Sequence, residues 1–517
     1  MNNHVSDTLY QLVQSLEKAE KRHFKLYIKR SSAKEDLKII RLFDGLDKLQ
    51  EYDEKLLIKS LPGVTRPQLS NLKTHLYKQL LASLRLLKTN ENIDLKLSEH
   101  LDNARLLYNK GLKIQSLHIL EKAKELARSN QKINFLVQVI SLEKKIETLH
   151  ITRSTLEKTR LIAEEALQIS GHIDRVTKLS NLALLLYRWY VKNGHARNVE
   201  DEKDIKEFFK KSLPHDAEAI NGFYEKLYLY QSYCWYGFIR QDFFMYYRYS
   251  QKWIDLFAEN EIMIAVETGH YIKGMHNLLN AHFDLRNFKK FKIALQQFEN
   301  FAQTPVANQH DNFRTHTSIY INSAKINQYL MQGNFKQGLA IIPAIENKLK
   351  EYALFVDSHR IVVFNYKFAS LYFGAGEFDT AIDYLHKIIN DNKPGLRNDL
   401  QCYARLMHLL CHYEIGNEEI MEPLIKSVYR FMARMKNLTI VEEAIFSFLR
   451  QSFKINTKLL KPKLEAFLKK IKHLEKNRFE TRSFAYLDVI SWAESKVYEI
   501  PMTEIIFKKY MQSRHRS

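Results

Sequence analysis

Apolar residues recur at i, i+3, i+4 and i+7 along most of this chain, a spacing that paints one stripe on a helix rather than one face of a strand. Leu9, Leu12, Val13 and Leu16 follow a Ser6-Asp7 cap, and Phe24, Tyr27 and Ile28 continue the same face. A second helix is expected near Glu35 to Glu51 and a short third from Asp53 to Leu61. Leu61-Pro62-Gly63-Val64-Thr65 then breaks the pattern. Pro67, in a first turn, opens a fourth helix carrying Leu69, Leu72, Leu76, Leu80, Leu84 and Leu87. These helices define an N-terminal unit, residues 1–92.

From residue 93 to 437 the pattern becomes one of helical hairpins. The clearest spans 361–390, where Phe368, Ala369 and Tyr372 precede a Gly374-Ala375-Gly376 break and Phe378, Ala381, Ile382, Leu385 and Ile388 follow it. Small Ala369 and Ala381 fall where two antiparallel helices approach most closely, with large residues at the flanks. Turns placed near residues 111, 152, 194, 241, 286, 333, 376 and 416 are 41, 42, 47, 45, 47, 43 and 40 residues apart. The polar stretch after 194, with Glu200-Asp201-Glu202 and a Leu213-Pro214 stop, reads as a long exposed connection. Residues 438–517 form a C-terminal cap of helices expected at 438–455, 458–475 and 481–498, with a tail helix after Pro501.

Composition sharpens this picture. Gly (15) and Pro (9) together are 24 of 517 residues, too few for the turns of a sheet-rich fold or the glycine loops of nucleotide-binding α/β enzymes. An all-α chain is expected.

The 361–390 hairpin resembles the tetratricopeptide repeat. Asn365, Phe368, Ala369, Tyr372, Ala381 and Leu385 take its slots, with Pro394 one residue late; its Trp is missing and its Gly is Ala. Similar slots are filled by Ile326, Tyr329, Gly338 and Ile342, by Ala104, Leu107, Ser116, Leu120 and Ala123, by Cys234, Gly237, Tyr246 and Trp253, and by Leu409, His412, Met421, Ile425 and Val428. The resemblance implies a right-handed α-α superhelix, a solenoid with helical caps at both ends, in hairpins longer than the standard 34 residues. It also implies that the first helix of each hairpin lines a concave groove. That geometry puts Tyr228, Gln231, Trp235, Lys273, His276, Asn280, Tyr320, Ser323, Asn327, Tyr366 and Ser370 toward a partner. Amides and hydroxyls among aromatics suit an extended peptide, which needs donors for its backbone and pockets for its side chains.

The formal charge of +20 favours acidic partners, whether a protein, a peptide or a nucleic acid, the last bound weakly and in a salt-dependent way. The C-terminal end contributes an excess: residues 454–517 hold 15 Lys and Arg against 7 Asp and Glu, net +8. From Phe223 to Phe257, 15 of 35 residues are aromatic, a density that suits filling between long helices. No phosphate-loop, nucleophile-elbow or zinc-protease motif occurs, so a non-catalytic binding scaffold without cofactors is expected. His408, Cys411 and His412, with Cys402 upstream, are the best metal candidates; one helix supplies two ligands at most, so packing is the reading adopted and no metal is expected. Three sparse cysteines, no signal-type apolar run and no long apolar span point to a cytoplasmic protein with no membrane span. An alternative function starts from the break at 61–65. A helix-turn-helix there would present Thr65, Arg66, Gln68, Ser70, Asn71 and Lys73 to nucleic-acid bases, with the repeats acting as a sensor.

Overall fold

A computed structural model describes residues 7–30, 34–59, 61–153, 155–214, 220–353, 355–391, 398–452 and 457–514. Ser6 and Pro394, used above, lie outside them. Among the described residues there is no strand, and the chain is all-α. Contacts divide it into two compact units, 1–170 and 171–517, so the pattern boundaries at 92 and 437 fall inside units.

The first unit holds α1 (Thr8–Ser15), α2 (Lys18–Lys29), α3 (Lys34–Lys48), α4 (Glu54–Lys59), α5 (Arg66–Lys88), α6 (Ile93–Asn109), α7 (Lys113–Ser129), α8 (Ile133–Leu149) and the start of α9 (Leu156–Asn193). Asp7 caps α1 by accepting from the backbone N–H groups of Leu9 and Tyr10. The first apolar face does not run on unbroken: Glu17 and Glu20 form a capping box that starts a separate helix, α2. Helices α2 and α3 pack on α5 around Phe24, Ile28, Leu42, Phe43, Leu76 and Leu80. Helices α6 and α7 pack closely, and the buried Ser116 hydroxyl donates to the Ala104 carbonyl at 2.8 Å.

The second unit continues through α10 (Val199–Ser212), α11 (Phe223–Ile239), α12 (Phe243–Ala258), α13 (Ile262–Val266), α14 (Thr268–Asp284), α15 (Phe288–Ala302), α16 (Pro305–Asn308), α17 (Asp311–Gln332), α18 (Phe335–Ala340) and α19 (Ile342–Glu351). It closes with α20 (Ser358–Ala375), α21 (Phe378–Ile389), α22 (Asn398–Ile415), α23 (Glu418–Arg434), α24 (Ile440–Ser452), α25 (Thr457–Leu474), α26 (Thr481–Tyr486), α27 (Val489–Tyr498) and α28 (Met502–Arg514). Each long helix packs mainly on its neighbours in sequence, as in α11 on α12, α12 on α14, α20 on α21 and α21 on α22.

Two expectations fail here. The stretch after 194 is not an exposed connection but the helix α10, capped by Asn198. It buries Ile205 and Phe209, the latter stacked on Tyr236 at 4.1 Å. Between 152 and 194 the chain makes one helix, α9, rather than a hairpin, because nothing there breaks it: Gly171 lies inside the helix and has no positive φ.

The other turn positions share one geometry. Gly111, Gly194, Gln241, Arg286, Gly333, Gly376 and Gly416 all have positive φ, and so do Gln131 and Lys436. At most of them the next N–H reaches back five residues to a carbonyl: Leu112 to Leu107 (3.0 Å), Lys132 to Ala127 (2.8 Å), Asp242 to Gly237 (2.9 Å), Asn287 to His282 (2.9 Å), Glu377 to Tyr372 (2.9 Å) and Asn437 to Met432 (3.0 Å). This left-handed cap satisfies carbonyls that a helix end would otherwise leave unpaired.

Ala369 and Ala381 are fully buried on either side of the Gly376 turn. Gly374 lets α20 meet α18 closely, since a Cβ there would lie 2.3 Å from the Phe335 ring. A Cβ at Gly376 would meet nothing within 4 Å, so its cost is the backbone's alone. We therefore expect Gly376→Ala to cost about 1–2 kcal/mol and Gly374→Ala to cost more, because the buried Phe335 must move. Thermal or urea unfolding of the two variants checks the order; a Gly374→Ala protein as stable as wild type would contradict it.

Candidate functional site

Side chains of α11, α14, α17 and α20 meet in series along one face of the second unit. Tyr228 and Gln231 of α11 both turn to His270 of α14, the phenol ring edge-on at 5.7 Å and the amide 3.0 Å from Nδ1. Trp235 packs on Tyr187 at 4.4 Å and on Tyr190 at 5.8 Å. The Lys273 ammonium lies 5.7 Å from the Trp235 ring centre, 5.8 Å from Tyr320 and 6.0 Å from Tyr187. An ammonium over aromatic faces is held by the ring quadrupoles. Among the described residues no carboxylate lies within salt-bridge distance of it.

His276, one turn along α14, stacks on Tyr320 at 3.9 Å and meets Asn280 at 3.1 Å. Arg360 of α20 reaches the Tyr320 hydroxyl at 3.4 Å while pairing with Asp357 at 2.9 Å. Lys367 donates to the Asn327 side chain and, at 3.4 Å, to the Ser323 carbonyl. Seven residues apart on α20, Arg360 and Lys367 share a face.

The electrostatics agree with this convergence. Burial, and then the charges of Lys273, Lys367 and Arg360, push His276 well below the ordinary imidazole range. Burial would raise the Tyr320 phenol, but Lys273 and Arg360 outweigh it and the net shift is downward. Burial raises Asp284 to about 7 and lowers Lys367 to about 7, each opposed by the other's charge. The face therefore carries cations in surroundings that resist charge, a condition that rewards an incoming anion.

Of the expected groove residues, Trp235, Lys273, His276, Asn280 and Tyr320 come together here and keep partial solvent access. Gln231, Ser323 and Asn327 belong to the same face but are buried, holding His270 and Lys367 in place. Tyr366 is misplaced: it is buried, and its hydroxyl donates to the Tyr486 carbonyl at 2.9 Å. The Ser370 hydroxyl bonds the Tyr366 carbonyl at 2.8 Å within α20. The chain's own α26 covers that side of α20, with Tyr486 stacked on Tyr403 at 4.5 Å and Arg482 paired with Asp399 at 3.0 Å. The register of α20 is thus one residue off. Stepping 47 residues from Lys273 reaches Tyr320, and 47 more reaches Lys367, not Tyr366. Tyr187, Arg360 and Asp284 were not anticipated; Tyr187 lies on α9, outside the hairpin pattern.

The residues of the alternative nucleic-acid surface lie on α5. Arg66 and Asn71 are exposed, Arg66 lying 3.6 Å from Glu54. Gln68 completes a capping box by accepting from the Thr65 N–H at 3.0 Å. Lys73 is withdrawn from any such surface, because Asp7 and the Tyr52 hydroxyl hold its ammonium.

Cys402 and Cys411 are buried, and burial pushes the Cys402 thiol up to about 12. Among the described residues no helix is long and apolar enough to cross a membrane. Compared with known proteins, the chain matches no family model and no curated protein.

The Asp284 shift makes a prediction about pH. Its folded pKa lies above the unfolded value of about 3.9, so its contribution to stability is full below that value and is lost as pH rises through about 7. Relative to Asp284→Asn, wild type should lose thermal stability steadily between about pH 4 and pH 8. A difference in melting temperature that stays constant across that range would contradict the assignment.

Proposed function

We propose that residues 171–517 act as a non-catalytic binding module, a right-handed superhelix of tetratricopeptide-like hairpins, whose α11–α14–α17–α20 face receives an extended segment of a partner protein. The observation that carries the reading is Lys273. Its ammonium sits over three aromatic rings with no carboxylate partner among the described residues, beside the half-buried Asn280 amide. Such an arrangement offers an acidic or amide-rich segment charge, donors and flat apolar walls together. A second reading, nucleic-acid binding by α5, rests on the exposure of Arg66 and Asn71.

Affinity capture from a nuclease-treated extract separates the two. Under the first reading wild type retains a protein partner, and Trp235→Ala weakens its binding by about 2 kcal/mol, roughly thirtyfold in Kd. Lys273→Gln weakens it as well while leaving the melting temperature close to wild type. Capture that survives both changes, or that depends on nucleic acid and on Arg66 and Asn71, would reject the proposal. Under the proposal, added DNA or RNA binds only weakly and is released steeply as salt rises.

A further inference from the structure

We propose that the segment received by the α11–α14–α17–α20 face carries a carboxylate side chain and, two residues from it, a large apolar side chain. The carboxylate meets Lys273 and Arg360 beside Tyr320, and the apolar side chain meets an exposed strip of α9. The inference rests on the reading of this face as a peptide groove.

The charge at the slot comes from two helices and is only partly cancelled. The Lys273 ammonium and the Arg360 guanidinium each lie 5.8 Å from the centre of the Tyr320 ring. Among the described residues no carboxylate is within salt-bridge distance of Lys273. Arg360 has Asp357, but that carboxylate is also the N-cap of α20: it accepts from the Arg360 backbone N–H at 2.8 Å as well as from Nη1 at 2.9 Å. Nη2 donates instead to the Tyr320 hydroxyl at 3.4 Å, a long bond between a cation and a neutral oxygen. An incoming carboxylate replaces it with a charge-assisted pair. His276 and His316 flank the same ring at 3.9 and 6.1 Å. Burial first, and then the neighbouring cations, hold both imidazoles below their ordinary range, so they are neutral walls of the slot.

The apolar strip adjoins this slot. Leu184, Tyr187 and Val191 recur at i, i+3 and i+7 on one face of α9. They are 65%, 42% and 53% exposed. Tyr187 ties the strip to the cations, since its ring packs on Trp235 at 4.4 Å and lies 6.0 Å from the Lys273 ammonium. Apolar side chains aligned on one face beside a cationic slot mark a docking surface rather than scattered surface residues.

The spacing and the amount of charge specify the ligand. In an extended chain, side chains on one side recur about every 6.6 Å, close to the distance from Lys273 to Tyr187. A residue seated on the strip therefore puts the next but one at Lys273. Arg360 already shares its charge with Asp357, which leaves little more than the one uncompensated charge of Lys273. A carboxylate matches that, whereas a phosphorylated side chain brings roughly −1.5 to −2.

The test is selection of random phage-displayed peptides on the full chain, followed by titration of the selected sequences, made synthetically, into wild type and variants. We expect the peptides whose capture is lost in Trp235→Ala to share Asp or Glu two positions from a large apolar residue. Lys273→Glu should weaken them by about tenfold or more and, when selection is repeated on it, should favour Lys or Arg at the acid's position. Arg360→Gln and Leu184→Asn should each weaken them by about fivefold, with melting temperatures close to wild type. Peptides that need Trp235 but show no acidic preference, or that bind Lys273→Glu as tightly as wild type, overturn the inference and leave the peptide groove standing. Phosphoserine in the acid's place binding more than about tenfold tighter overturns the carboxylate assignment. A selection that returns no peptide dependent on Trp235 removes the groove reading itself, and the inference with it.

Discussion

The tight hairpin turns of this chain, from Gly111 to Lys436, depend on one residue entering the left-handed region of backbone space. Where that residue is Gly111, Gly333, Gly376 or Gly416, the entry is nearly free, because no Cβ opposes it. Where it is Gln131, Gln241, Arg286 or Lys436, the backbone takes on about 1 kcal/mol of strain that other contacts must offset. Gln241 shows how. Its buried side chain donates to the Ala196 carbonyl at 2.9 Å and accepts from the Thr481 hydroxyl at 3.0 Å. The same residue that turns α11 into α12 also joins that turn to α26. A helix that ended without such a cap would leave its last carbonyls unpaired, and the next helix would not return along its face.

The caps set the spacing of the helices, and the spacing determines what the α11–α14–α17–α20 face can hold. Long side chains bridge it: Lys273 spans to Trp235 and Tyr320, and Lys367 spans to Asn327 and Ser323. The price is desolvated charge. Asp284 and Lys367 are both driven toward neutrality, and His276 is held neutral. Rings and amides lock the remaining cations in place. This preorganisation means that a ligand need not order them when it binds.

Much of this was legible in the sequence, for identifiable reasons. Glycine at a helix end is a strong signal, so Gly111, Gly333, Gly376 and Gly416 marked their turns correctly. Gln241 was placed by the repeat slots Cys234, Gly237, Tyr246 and Trp253 around it rather than by a glycine. Gln131 was hidden because it divides a stretch that periodicity alone reads as continuous. The helix α10 was hidden by its own charge, with Ile205 and Phe209 too sparse among acids and lysines to show an apolar face. On the candidate face, Lys273, His276 and Tyr320, named from the resemblance, lie in contact with one another. Tyr366 does not join them, because the cover that α26 provides is a contact between residues 120 apart in sequence.

Most contacts in the second unit are between neighbours in sequence, an arrangement in which helices can peel away from an end one at a time. A few bonds defeat that. The Arg197 guanidinium donates to the Lys436 carbonyl at 2.9 Å across 239 residues; Thr481 meets Gln241 across 240; Arg478 shares Glu202 with Arg240 across 276. Glu202 is held well within its ionised range by those two guanidiniums, against burial that opposes it. Early and late helices are thereby fastened together. Fraying that proceeds past α10 from one side or α26 from the other must break these links, which draws unfolding of the helices between them toward a cooperative event. Folding meets the same links last, since loops of this length close only after the intervening helices have formed.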